Sequence, residues 1–85
     1  MRFTVVWMRA AQNQLATLWT GADPALRRAI TAAADSIDKQ LAVNPQLLGE
    51  SRSHGRRILF VRPLYVIFRV NEPDRQVVVL TVRRV

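Results

Sequence analysis

Eighty-five residues, 49% of them hydrophobic and 22% charged, are enough to close one small core and do not have the composition of a disordered chain, so one domain over residues 1–85 is expected. The absence of cysteine excludes a disulfide framework and thiolate metal sites. Thirteen basic residues against six acidic ones leave a formal charge of +7, and every basic residue except Lys39 is arginine. Arginine's planar fork pairs two-pronged with phosphate or carboxylate, so this surface suits RNA, DNA or an acidic protein; plain solubilisation is the blander reading.

The opening apolar run is too short for a signal peptide, and no stretch nears the ~18 apolar residues of a membrane span, so a cytoplasmic protein is expected. Arg2 to Trp7 alternates, with Phe3, Val5 and Trp7 on one side, which predicts a strand. From Arg9 the period lengthens. Ala11, Leu15, Leu18 and Trp19 fall at helical spacing, and Thr20-Gly21 closes the segment. Trp7 and Trp19 both occupy core-like positions. Asp23-Pro24 then supplies a capping carboxylate and a proline for the first helical position. Leu26, Ile30, Ala33, Ile37 and Leu41 step by three or four residues through a second, longer helix that Asn44-Pro45 stops. So short a junction predicts an antiparallel helical hairpin.

Residues 44–55, with Asn44, Pro45, Gly49, Ser51, Ser53 and Gly55, read as a loop. Three β-rich runs follow, over 56–61, 64–70 and 76–83, separated by Arg62-Pro63 and by Asn71-Glu72-Pro73-Asp74, and they predict an antiparallel meander. Leu64, Val66, Phe68 and Val70 are uniformly apolar and should face the helices, which turns Tyr65, Ile67 and Arg69 to the opposite face. With a two-residue turn at Arg62-Pro63, Val61 pairs with Leu64, Phe60 with Tyr65, and Arg56 with Arg69. A turn one residue longer sets Arg57 against Arg69 instead.

Either register opposes two guanidinium groups on the open face of the sheet. Like charges directly across from one another are unfavourable unless something negative sits between them. An anion site is one reading; two long stems splaying into solvent is the other.

The order strand, helical hairpin, three-strand meander resembles the RelE/ParE toxins of type II toxin–antitoxin and plasmid stabilisation systems, over nearly the whole chain. The resemblance is carried by Val6-Trp7, by Ile37, Leu41 and Asn44-Pro45, by Gly49 and Gly55-Arg56-Arg57-Ile58, by the run from Leu64 to Val70, and by Val78-Val79-Leu80-Thr81-Val82. It implies an α+β fold, β-α-α-β-β-β, with an antiparallel sheet packed on the N-terminal helical hairpin. It also implies a toxin neutralised by an acidic antitoxin, as a toxin–antitoxin hetero-oligomer or a homodimer. One branch of such toxins cleaves messenger RNA on the ribosome through basic residues of the open sheet face. The other inhibits DNA gyrase, and a repurposed member would only bind a partner protein.

Departures from the ribonuclease pattern are specific. Tyr65 stands where ribonuclease members usually carry an arginine, Arg57 and Leu59 replace the lysine pair of others, and the C-terminal extension is reduced to Arg83-Arg84-Val85. Cleavage needs a group to deprotonate the ribose 2′-hydroxyl, and arginine holds its proton too tightly to serve. Glu50, His54 and Tyr65 are the candidate bases; a salt bridge for Glu50 and surface decoration for His54 are the simpler readings. The resulting set is Glu50, Tyr65 and Arg69 for catalysis, with Arg56, Arg57, Arg62, Arg69, Arg83 and Arg84 for RNA or anion binding. Neither a metal nor a cofactor is expected, since the chain has no glycine-rich phosphate loop and no metal-ligand spacing.

Overall fold

The computed structural model describes residues 2–85. Strand β1 (Thr4–Trp7) leads directly into helix α1 (Arg9–Thr20), which ends as Gly21 donates its N–H to the Thr17 carbonyl at 3.1 Å. Asp23 caps helix α2 (Pro24–Leu41): its carboxylate accepts the Leu26 N–H at 2.8 Å, and Pro24 fills a position where no N–H is needed. Ile30, Ala33, Ile37 and Leu41 form the buried stripe of α2, at the expected spacing.

The stretch expected to be loop is more ordered than its composition implies. It holds a 3-10 turn at Pro45–Leu47, the two-residue strand β2 (Glu50–Ser51), and a second 3-10 turn at Ser53–Gly55. The meander follows as β3 (Arg56–Val61), β4 (Leu64–Asn71) and β5 (Gln76–Arg84).

Strand order across the sheet is β1-β5-β4-β3-β2. The meander and β2 pair antiparallel, whereas β1 runs parallel to β5, with Thr4 opposite Gln76 and Trp7 opposite Val79. The sheet is thus mixed and five-stranded, not wholly antiparallel. A parallel pair needs a long crossover between its strands, and the helical hairpin plus the meander supplies one between β1 and β5.

The β3–β4 register is that of the two-residue turn. Val61 faces Leu64, Phe60 faces Tyr65, and Arg56 faces Arg69. Between β4 and β5 the register shifts at Ile67/Phe68: Phe68 faces Val79 but Ile67 faces Thr81. Leu80 is therefore the extra residue of a bulge, which lets Val79 and Val82, three apart, both turn into the core.

The core lies between the sheet and the helices. Leu64, Val66, Phe68, Val77, Val79 and Val82 are completely buried from the sheet, as are Ile37 and Leu41 from α2. Each such side chain contributes about 1.5–3 kcal/mol, so stability is concentrated on the helical side of the sheet. The opposite face is more exposed and holds the less deeply buried residues of β3 and β4.

Trp7 packs against this core and donates its indole N–H to Asp38 at 3.1 Å. Trp19 departs from its expected place in the core and is 43% exposed. Its ring lies 4.3 Å from the Arg27 guanidinium carbon, and Arg27 also donates to the Trp19 and Thr20 carbonyls at 2.9 and 3.0 Å. One side chain of α2 thus satisfies the last carbonyls of α1 and covers its terminal tryptophan. Leu15, Ala16, Trp19, Ile30 and Ala34 line an open cleft between the two helices. Among the described residues no helix is long and apolar enough to cross a membrane.

Candidate functional site

Alternation along the strands assigns every candidate to a side of the sheet. On β4, Leu64, Val66 and Phe68 are buried beneath the helices, so Tyr65, Ile67 and Arg69 occupy the open face. Cross-strand pairing carries this assignment to the neighbours. One row reads Phe60, Tyr65, Arg83; the next Glu50, Ile58, Ile67, Thr81; the third Arg56, Arg69, Val78. The open face is therefore apolar at its middle, aromatic at the hairpin end and cationic at both ends.

Arg56 and Arg69 are both exposed and stand directly opposite on antiparallel strands, about 5 Å apart at the backbone. Among the described residues neither forms a salt bridge. Arg83 sits beside Tyr65 on the adjacent strand. The rings of Phe60 and Tyr65 have centroids 5.3 Å apart and tilt by 39°.

The other predicted anion-binding arginines are elsewhere. Arg57 pairs with Phe68 and so belongs to the helical side, where its Nε donates to the Leu48 carbonyl at 2.8 Å and an Nη to the Gly49 carbonyl at 3.2 Å. It fastens the 44–55 segment to β3, a structural task. Arg84 pairs with Leu64, also on the helical side at the end of β5, and Arg62 is exposed in the hairpin turn. Of the six, Arg56, Arg69 and Arg83 share the open face.

The catalytic candidates share that face without converging. Tyr65 and Arg69 are four residues apart on β4, and Glu50 is two strands away, so their backbones stand pairwise about 12–13 Å apart. The Glu50 carboxylate meets Arg52 at 3.2 Å, the simpler of its two expected roles. His54 is exposed in the turn after β2, with a positive φ of 63°.

Sequence reasoning missed three features: the Phe60–Tyr65 ring pair, the Arg27 clamp and the interhelical cleft. The first was within reach, because the two-residue turn already sets Phe60 against Tyr65. The clamp and the cleft depend on how two helices dock, for which the sequence has no local signal.

No protein-family model matches this sequence, and neither does any curated protein. Solved structures do match. A chain of the RelBE2 toxin–antitoxin complex of Mycobacterium tuberculosis superposes with a TM-score of 0.79 at 19% identity, over 100% of this chain and 93% of that one. A chain of the chromosomal ParDE system of P. aeruginosa gives 0.78 at 22% identity, over 98% and 96%. The isolated E. coli RelE toxin gives 0.57 at 10% identity, over 99% and 84%.

A helical hairpin on one face of a mixed sheet, with an arginine-bearing open face behind it, defines a basic α+β protein. The fold is that of the RelE/ParE toxins.

Proposed function

We propose that this chain is the toxin of a cytoplasmic toxin–antitoxin pair and that its open sheet face takes RNA, with ribosome-associated cleavage of messenger RNA as the inhibitory act. The observation that carries the reading is Arg56 facing Arg69. Two like charges held directly opposite disfavour folding slightly, and an anion between them reverses the sign of that contact. Arg83 adds a third cation to the same face. The antitoxin half of the proposal is supported by the toxin–antitoxin complexes among the similar structures. The cleft between α1 and α2 offers such a partner an apolar seat on the side away from the arginines.

In this mechanism Arg56 and Arg69 hold the phosphodiester and stabilise the charge that builds on it in the transition state. Glu50 removes the 2′-hydroxyl proton as the 2′-oxygen bonds to phosphorus and the P–O5′ bond breaks, with a proton from water going to the departing 5′-oxygen. Its contact with Arg52 is exposed on both sides and worth at most about 1 kcal/mol, so it does not lock the carboxylate in place.

Inhibition of DNA gyrase is the second reading. It is favoured by Tyr65 in the place of an arginine and by the wide spacing of Glu50, Tyr65 and Arg69.

Partner-free protein offered to a programmed ribosome and, separately, to a gyrase supercoiling reaction distinguishes the two. Weak cleavage is expected, because a missing preorganised charge costs on the order of 100- to 1000-fold in rate. Tyr65→Arg should raise it. Blocked supercoiling with no cleavage by either form moves the assignment to gyrase, and inertness in both assays leaves only partner binding.

A further inference from the structure

We infer that Phe60 and Tyr65 form a base-stacking platform that makes the open face selective for single-stranded RNA, an inference that rests on the RNA reading above. Phe60 is 56% exposed on a regular strand, beside a second ring 5.3 Å away and with Arg83 in the same row. Its cross-strand contact with Tyr65 is worth only about 0.2–1 kcal/mol and leaves more than half of the ring in water, whereas the other apolar residues of β3 and β4 are at least half-buried. Its position makes sense as one half of a surface that a flat ligand completes.

The layout of charge says which ligand. The aromatic row and the Arg56–Arg69 row are four residues apart on β4, about 13 Å. Ile58, Ile67 and Thr81 lie between them, with Glu50 at the outer end of that row on β2. A ligand spanning the face must therefore present a π-surface at the hairpin end and an anion at the other. A single strand with unstacked bases does this; a duplex turns its bases inward and leaves the rings nothing to stack on. An acidic protein segment would satisfy the arginines but would not need the rings.

The test is fluorescence anisotropy on partner-free protein with two labelled oligomers of equal length, a single-stranded oligoadenylate and an abasic ribose-phosphate chain. The wild-type protein should prefer the base-bearing oligomer. Phe60→Ala should weaken that binding roughly 5- to 150-fold, Phe60→Leu should weaken it nearly as much, and Tyr65→Phe should retain it. Neither Phe60 variant should change binding to the abasic chain, whereas Arg56→Ala and Arg69→Ala should weaken both oligomers. Equal wild-type affinity for the two oligomers overturns the platform without recourse to any variant. If the Phe60 variants bind RNA normally while the arginine variants do not, the platform is wrong and the RNA reading stands. If the wild-type protein binds neither oligomer, the platform is wrong, and the programmed-ribosome assay decides the RNA reading separately.

Discussion

Gly49 and Gly55 both lie in the segment before β3, and both have positive φ, +66° and +72°. Their surroundings differ. A Cβ on Gly49 would collide with the Ile58 carbonyl, because the chain entering β2 runs tight against the edge of β3 there, whereas a Cβ on Gly55 would point into open space. Gly49→Ala should therefore cost at least about 2 kcal/mol in urea unfolding, from left-handed strain plus the collision. Gly55→Ala should cost only the strain, about 1 kcal/mol. Equal losses would show that β2 yields to the added methyl. The consequence reaches the site, because Gly49 immediately precedes Glu50 and sets its approach to the open face. In the sequence both glycines read simply as loop residues. The contact that separates them joins two segments nine residues apart.

Local signals sufficed for most of the helices and strands. Asp23-Pro24 marks the start of α2 because an N-cap acts within one turn and needs no distant partner. Asp23→Ala should remove about 1 kcal/mol and lower the melting temperature by roughly 4–8 °C, with the far-UV helical signal of the folded state preserved. An unchanged melting temperature would mean that α2 is held by its buried stripe alone. The buried face of β4 was legible for a similar reason, because the uniform apolar set Leu64, Val66, Phe68 fixes it, whereas the β3–β4 register was narrowed to two and the structure selects that of the two-residue turn. The bulge at Leu80 was not legible. Four consecutive apolar residues, Val77-Val78-Val79-Leu80, fit either face, and the shift is set by packing against the helices.

The charge of +7 predicts how this protein would meet the proposed acidic antitoxin. An acidic partner should associate through electrostatic steering, with an on-rate that falls steeply as ionic strength rises, by 10-fold or more between low and high salt. Stopped-flow association with the product of the neighbouring reading frame checks this. A salt-independent rate would mean that apolar docking, at the interhelical cleft for instance, governs encounter. Composition, charge, the two helices, the meander and the presence of an arginine opposite Arg69 were all determined by the sequence, because each depends on residues close in the chain or joined by one tight turn; which arginine, Arg56 or Arg57, was decided by the structure. Tertiary structure decided the rest. It placed β1 parallel to β5, put Arg57 and Arg84 on the helical side rather than the open face, exposed Trp19 beneath Arg27, and kept Glu50, Tyr65 and Arg69 apart. Each of those outcomes turns on which strands become neighbours and how the helices dock, contacts between segments that no local periodicity encodes.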